Sequence, residues 1–260
     1  MCMSLKLDGE NEMTKNSCFG ECKNLFYEFL KEEKISYFEK FCFKDLYEKK
    51  IENYKGKFRA YIYYDKNGVP HADSSRLARI IYYILWGNHE YTRHKFQNLI
   101  DADTSFDSGE DKFCGDTLIT TNSFDADTTI GNFMILPKGK ASNGVTLNQY
   151  RGVSSGLNDN FSKFMNIIKN FYEEKAFKDK IWQELFENKY NLDFFNQIGK
   201  IGEKGDKFQN FVEFFMLEDW EKLESCNQKE VVLFIKKRSK RICQKLKTIL
   251  NNVAKSSGME

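Results

Sequence analysis

An acidic segment in the first half of the chain contains residue types that bind metal ions and handle phosphate. It spans residues 99–124, LIDADTSFDSGEDKFCGDTLITTNSF, and its first carboxylates are Asp101 and Asp103. Two carboxylates separated by one residue can share a hard cation, because both reach the same ion from an extended or looped backbone. We therefore expect Asp101 and Asp103 to hold Mg²⁺ or Mn²⁺. The alternative is an exposed acidic loop that precedes a strand.

Known acidic motifs narrow this choice only in part. A calcium-binding loop starting at Asp101 needs glycine at its sixth position and glutamate at its twelfth, whereas this chain has Phe106 and Lys112 there. The letters DADTS fit the D-x-D-x-[ST] motif of haloacid-dehalogenase-like phosphatases, but the preceding RHKFQNLI is a poor buried strand. The segment thus indicates a hard-cation site and leaves the reaction open.

Amide and guanidinium groups occur within apolar segments further along the chain. Burying such a group costs about 1–3 kcal/mol unless it is hydrogen-bonded, so these residues either hold backbone together or bind a ligand. Arg151 is a two-pronged donor that suits phosphate or carboxylate, and Gly152 would let backbone approach closely. The predicted substrate-binding residues are Asn132, Asn148, Arg151 and Gly152. The predicted catalytic residues are Asp116, Asn122 and Arg151.

Three of these residues are expected to form one cluster. We interpret the segments DTLITTNSF, TIGNFMILP and VTLNQY as strands between about residues 115 and 150. Asn132 lies in the second segment, Asn148 lies in the third, and Arg151 directly follows the third. Neighbouring strands of one sheet would bring the three side chains together.

This region also resembles a group of uncharacterised bacterial proteins that form a domain of unknown function. Members carry Thr-Ile-Gly-Asn and Asn-x-x-Arg-Gly at matching places, here TIGN at residues 129–132 and NQYRG at 148–152. The resemblance covers roughly residues 85–225, including FQNFVEFFMLEDW. It implies no established activity and no catalytic residues. Residues 1–56 and the basic C-terminal tail lie outside it.

The C-terminal tail concentrates positive charge on a predicted helix. IKKRSKRICQKLK carries seven cationic residues between Lys236 and Lys247. The predicted nucleic-acid contacts are Lys236, Lys237, Arg238 and Arg241. The alternative is an amphipathic helix with a solvated basic face that docks a protein partner. The chain as a whole has a formal net charge of only +2, so bulk charge indicates no polyanionic partner.

Cysteine usage and hydropathy indicate a cytoplasmic location. The seven cysteines are odd in number and scattered, which disfavours a disulfide framework. No apolar run has the length of a signal peptide or a membrane span. His89 and His94 are five residues apart and so do not share a helical face, which makes zinc improbable.

Apolar periodicity predicts an α+β fold with a small mixed or antiparallel sheet in the first half and a helical C-terminal half. Residues 58–64 alternate as a strand that ends in a turn at Asn67–Gly68. ADSSRLARIIYYILWG reads as a helix capped by Asp73 or Ser74, with Arg76 and Arg79 opposite its apolar face. A helical pattern also begins at Cys22, and after Gly156 the predicted helices span 158–175, 178–188, 207–224 and 229–252. We interpret residues 1–260 as a single domain with a flexible leader at 1–20 and a helical part at 157–260.

Two functional hypotheses follow. In the first, the protein is an enzyme acting on a phosphate-containing substrate, a nucleotide or nucleic acid, with a divalent ion on Asp101 and Asp103 and with Arg151 against developing phosphoryl charge. In the second, it is a non-catalytic binding or interaction module, such as a scaffold, toxin-like or phage-defence protein. Its polar cluster is then structural, and its C-terminal helix docks a partner.

Overall fold

An antiparallel hairpin forms the first two strands of the described part of the chain. The computed structural model describes residue 26 and residues 60–64, 66–68, 70–87, 113–119, 129–153, 161–201, 205–225 and 228–256. Strand β1 (Ala60–Tyr64) pairs with β2 (Pro70–Ser75) across the predicted Asn67–Gly68 turn. Gly68 has φ +77, a left-handed conformation that glycine adopts without steric cost. The predicted turn is confirmed.

A second antiparallel pair lies beside this hairpin. Strand β3 (Phe113–Thr117) pairs along its whole length with β4 (Phe133–Pro137). β2 is joined to β3 where Ser74 lies opposite Asp116, which gives the strand order β1-β2-β3-β4. Every residue of β4 is buried, as its uninterrupted apolar sequence FMILP requires.

Helix α1 (Arg76–Gly87) follows β2 directly. The predicted cap residues Asp73 and Ser74 lie within β2. Every residue from Ala78 to Leu85 is buried, because α1 packs against β3, β4 and the C-terminal helix. Arg79 is only 3% exposed, so its predicted position on the solvent side was wrong. A helix enclosed by neighbours on several sides has no wide polar face.

The described residues are mostly helical, and the predicted helical C-terminal half is confirmed. Its helices are α2 (Leu147–Val153), α3 (Phe161–Tyr172), α4 (Lys180–Glu187), α5 (Lys189–Ile198), α6 (Lys207–Phe214) and α7 (Gln228–Ser256). Two 3₁₀ segments accompany them, η1 (Ile130–Asn132) and η2 (Trp220–Ser225). Among the described helices, none combines the length and the apolar character needed to cross a membrane.

Residues 147–150 form the start of helix α2, so the prediction of a strand over VTLNQY was wrong. The reason is a capping box, in which the first and fourth residues exchange hydrogen bonds. The Thr146 amide donates to Gln149 Oε1 at 3.0 Å, and the Gln149 amide donates to Thr146 Oγ1 at 3.4 Å. The spacing Thr-x-x-Gln is visible in the sequence, and it indicates a helix start more strongly than the short apolar alternation indicates a strand.

Two other helix boundaries differ from the predicted ones. Asn188 ends α4 and caps α5, since its Oδ1 accepts hydrogen bonds from the amides of Tyr190 and Asn191 at 3.0 and 3.4 Å. The predicted helix over 207–224 ends at Phe214. Met216 and Asp219 then adopt φ values of 54 and 73, which cannot continue a right-handed helix.

A buried asparagine joins the end of β4 to α5. The Gly139 amide donates to Asn191 Oδ1 at 2.9 Å, and Asn191 Nδ2 donates to the Gly139 carbonyl at 3.1 Å. Nδ2 also donates to the carbonyl of Leu185 at 2.8 Å, which fixes the side chain in place. A β-carbon at residue 139 would collide with the side chains of Asn188 and Asn191.

We therefore expect Gly139→Ala to lower the free energy of unfolding by about 1–3 kcal/mol, the usual cost of overpacking. Urea unfolding followed by circular dichroism measures it. Gly205→Ala is the matched control, because a β-carbon there would meet no atom within 4 Å. Equal unfolding midpoints for the two variants would contradict the proposed role of the Gly139–Asn191 contact.

Candidate functional site

Asn132 lies at the end of η1, and its side chain makes hydrogen bonds to the Ile119 backbone of the kind that a neighbouring strand would make. Its Nδ2 donates to the Ile119 carbonyl at 2.8 Å, and its Oδ1 accepts from the Ile119 amide at 3.2 Å. Its backbone carbonyl accepts from the Leu118 amide at 2.7 Å. The side chain is completely buried. Asn132 therefore continues the pairing of β3 with β4 beyond Thr117, through its backbone at Leu118 and its side chain at Ile119.

Arg151 reaches the same segment from α2. Its Nη1 donates to the Leu118 carbonyl at 3.3 Å, and its Nη2 donates to Asn148 Oδ1, one helical turn earlier, at 3.0 Å. The guanidinium carbon lies 5.3 Å from the centre of the Phe164 ring, within range of a cation–π interaction. Arg151 is only 4% exposed. The guanidinium thus lies between backbone, amide and ring inside the protein.

The structure brings Asn132, Asn148 and Arg151 together around residues 118–119, but by a different route from the predicted one. Neighbouring strands do not carry them. Asn132 belongs to a 3₁₀ turn, and the other two belong to a helix. Gly152, the fourth predicted substrate-binding residue, is exposed on α2.

Gly131 forms the docking point for α7. Its amide donates to Ser239 Oγ at 2.8 Å, and its carbonyl accepts from Arg238 Nη1 at 2.7 Å. A β-carbon at residue 131 would overlap the carbonyl oxygen of Ile235 as well as the amide and hydroxyl of Ser239. Glycine is needed here because a helix backbone approaches this closely. In the Thr-Ile-Gly-Asn motif, Gly131 therefore contacts α7, and Asn132 hydrogen-bonds to the residues that follow β3.

Arg238 is fully buried at the centre of this contact. Its Nη1 also donates to the Phe133 carbonyl at 2.7 Å, its Nε donates to the Phe215 carbonyl at 3.0 Å, and its Nη2 donates to the hydroxyl of Tyr82. Burial lowers the pKa of Arg238. Burial raises the pKa of Tyr82, and the neighbouring positive charge of Arg238 offsets part of this rise. The guanidinium ties η1, β4, α6 and α1 to α7.

Arg238 therefore does not lie where a nucleic acid would contact it, because all of its side chain is inside the protein. Arg241 is also engaged: its Nη1 lies 2.8 Å from Glu218 Oε2, and its side chain is 29% exposed. Lys236 and Lys237 are exposed. The predicted set of four nucleic-acid contacts thus divides into two exposed lysines, one paired arginine and one internal arginine.

The predicted metal site falls outside the described residues. This applies to Asp101 and Asp103 and also to the predicted catalytic residue Asn122. Asp116 lies in β3 opposite Met134 and Ser74, although its side chain is not described. No group of three or more His, Cys, Asp or Glu residues placed to hold a metal ion occurs in the part of the chain that is described.

The contacts above involve a region that sequence comparison recognises. Residues 116–240 match the model of a family of unknown function, DUF6994. The match covers just under half of the chain. It starts later than the resemblance noted from the motifs, at residue 116 instead of about 85. It also extends further, to residue 240, so it includes part of the basic tail that the motifs left outside. No curated protein and no solved structure gives a match.

The extent of the DUF6994 match agrees with the packing of the chain. Its last residues include Arg238 and Ser239, which bond to Gly131 near its beginning. The first turns of α7 are therefore part of the same structural unit as η1 and β4. The bacterial origin suggested by the motifs stays a prediction, and so does any role for the motifs in the family.

Two structural residues were missed in the sequence. Tyr82 donates its hydroxyl to the Phe133 carbonyl at 3.1 Å while accepting from Arg238, and Asn191 holds Gly139. A polar atom on an otherwise apolar helical stretch, as in RIIYYILWG, is the available signal for the first. Asn191 has no comparable signal, because its partners are remote in sequence.

Proposed function

We propose that this protein is a non-catalytic interaction module, in which the polar cluster is structural and the C-terminal helix docks a partner. One observation carries the proposal: the two buried arginines that the sequence predicted to contact an anion donate instead to the protein's own oxygen atoms. Arg238 donates to three carbonyls and a phenol, and Arg151 donates to a carbonyl and an amide oxygen.

The burial of these arginines supports a structural role. A guanidinium can receive a phosphate in two-pronged fashion only if adjacent donors face the ligand. The Nη1 and Nη2 of Arg151 point instead at Leu118 and Asn148, and the side chain is 96% enclosed, since only 4% is exposed. A phosphate would have to displace both contacts and enter the interior. Such a displacement would cost stability, because the Leu118 carbonyl would lose its donor.

The exposed side of α7 supports the second half of the proposal. Leu233 is the exposed large hydrophobic residue of the described chain, at 51%. Lysines lie on either side of it along the same helical face. An apolar centre within a polar rim is the arrangement that protein interfaces commonly have.

Arg151→Met is expected to lower the free energy of unfolding by about 2–4 kcal/mol, because a buried carbonyl and a partly buried amide oxygen each lose a charged donor. Urea unfolding measures the loss, with Lys163→Met on the exposed side of α3 as the control. The interaction-module proposal also predicts that inorganic phosphate or ATP leaves the melting temperature of the unmodified protein unchanged. Ligand-induced stabilisation that Arg151→Met abolishes, with little loss of intrinsic stability, would contradict it.

The enzyme hypothesis stays a prediction, since its metal ligands lie outside the described residues. It requires that Mg²⁺ or Mn²⁺ binding gives a calorimetric signal and that Asp103→Asn removes this signal. Indistinguishable titrations of the two proteins would remove the metal from the hypothesis. Cytoplasmic location and bacterial origin are likewise proposals, which rest on the cysteine count and on the motif resemblance. A part in phage defence stays a prediction.

A further inference from the structure

We infer that the exposed face of α7, with the cleft beside η2, binds an acidic peptide that carries an apolar anchor residue. This inference rests on the proposed function and names the chemistry of the partner. The surface is defined by Leu233 and by the four lysines around it on α7: Lys229, Lys236, Lys237 and Lys240. We call it the lysine–leucine face.

Helical spacing places these residues on one side of α7. Lys229 and Lys237 lie four residues before and after Leu233, and Lys236 and Lys240 lie three and seven residues after it. Residues at these separations share a helical face. All four lysines are exposed, while the opposite stripe, which includes Phe234, Ile235 and Arg238, is buried. The lysine–leucine face is therefore a continuous outward surface with an apolar centre.

A cleft of about 350 Å³ adjoins this face. Its apolar lining comes from Leu223, Leu233 and Phe234, in η2 and α7. Its volume falls in the range of about 300–1,000 Å³ that is typical of binding pockets. An aliphatic or aromatic side chain of a partner, entering beside Leu233, would bury apolar surface on both molecules.

The charges around the cleft favour an acidic partner. Within the cleft lining, Asp219 is already neutralised by Lys222, whose Nζ lies 2.6 Å from its Oδ1. That contact, together with the charges of Lys237 and Arg241, lowers the pKa of Asp219. Among the described residues, Glu230 is the other acidic residue of the lining, and Lys236, Lys237 and Lys240 lie beside it on the lysine–leucine face. Carboxylates that flank the anchor would meet the remaining positive charge.

Two other occupants fit this surface less well. A second copy of the chain related by a two-fold axis would place the same lysines opposite each other, and such like-charge contacts are unfavourable. A nucleic acid would use the lysines as phosphate contacts and gain nothing from Leu233 or the apolar cleft. An amphipathic acidic helix or strand uses both, as in helix-in-groove recognition.

The test selects binders without assuming their sequence. A displayed library of random short peptides is panned against the full-length protein and, in parallel, against the variant Leu233→Gln/Lys236→Gln/Lys240→Gln. A second variant, Lys163→Gln/Lys200→Gln, removes two exposed positive charges elsewhere and serves as the control. Circular dichroism verifies that all three proteins are folded.

Peptides enriched on the unmodified protein and on the control are expected to combine Asp or Glu with one large apolar residue. Their affinity, measured by fluorescence anisotropy, should fall by about tenfold or more on the triple variant, as it does when interface anchors are removed. The affinity should also decrease with added salt, and this decrease should be less steep for the triple variant than for the unmodified protein.

Other outcomes overturn the inference. Enriched peptides that are neutral or basic yet lose binding on the triple variant would reject an acidic partner and leave the interaction module in place. Enriched peptides that bind the unmodified protein and the triple variant equally well would reject the lysine–leucine face as a peptide site. Single-stranded RNA that binds equally to the unmodified protein and to Leu233→Gln, while Lys236→Gln/Lys240→Gln weakens it, would assign the surface to a polyanion. The proposed function fails separately, through the phosphate and ATP measurements on Arg151.

Discussion

Arg238→Met is expected to lower the free energy of unfolding by about 3–5 kcal/mol, because it leaves several buried acceptors without their donor. Methionine fills much of the same volume and carries no donor. The Gly131 and Phe215 carbonyls and the Tyr82 hydroxyl lose the bonds that Arg238 makes to them. Each buried polar group left without a partner costs about 1–3 kcal/mol.

Two comparisons show what causes the loss. Lys237→Met changes the adjacent, exposed residue of the same helix and is expected to shift stability by less than about 0.5 kcal/mol. Arg238→Lys retains the positive charge, but a single ammonium cannot reach acceptors on η1, β4 and α6 at once. We expect it to be destabilised almost as strongly as Arg238→Met. Urea unfolding in which Arg238→Lys behaves like the unmodified protein would show that charge alone, and not the arrangement of donors, matters.

The sequence carries enough information to separate Arg238 from the lysines beside it. Arg238 lies four residues after Phe234 and four before Ile242, and both of these are buried. It therefore falls on the apolar stripe of α7, while Lys236 and Lys237 fall outside it. A count of positive charges hides this difference, whereas helical periodicity reveals it. What periodicity cannot supply is the set of acceptors, because the three carbonyls come from residues 23 to 107 positions away.

The residues of the polar cluster were predictable from the sequence, but their secondary structure was predicted wrongly. Asn132, Asn148 and Arg151 stood out because amide and guanidinium groups in apolar surroundings need partners. Their partners turned out to be the backbone of residues 118–119 and each other. The strand assumed over residues 145–150 failed because Thr146 and Gln149 cap a helix, and local capping contacts outweigh a short apolar alternation.

The apolar periodicity of the C-terminal half predicted most of its helices, since amphipathic helices have to bury one stripe, but it missed α5 (Lys189–Ile198). Their ends were less predictable. Nothing in NKYNLDFF distinguishes a capping Asn188 from a buried Asn191 until both are placed near Gly139. Boundaries of this kind depend on tertiary contacts, which a single sequence does not encode locally.

Gly131→Ala is expected to cost about 2–6 kcal/mol of unfolding free energy, although it adds only one methyl group. The added carbon would overlap the backbone of α7 at Ile235 and Ser239. Overpacking alone costs about 1–3 kcal/mol. Moving α7 away to relieve the overlap would also stretch the bond from Gly131 to Ser239 Oγ and that from Arg238 to the Gly131 carbonyl, which adds about 1–3 kcal/mol.

A double variant separates this account from a simple side-chain clash. Ser239→Gly removes the hydroxyl that the new methyl group meets, but the overlap with the Ile235 carbonyl oxygen and the Ser239 amide remains. Gly131→Ala/Ser239→Gly should therefore be no more stable than Gly131→Ala. Gly205→Ala, at an open position, is the control. If the double variant recovered most of the lost unfolding free energy, the close approach of the α7 backbone would not be the reason for glycine at residue 131. The Thr-Ile-Gly-Asn segment would then need an explanation other than the docking of this helix.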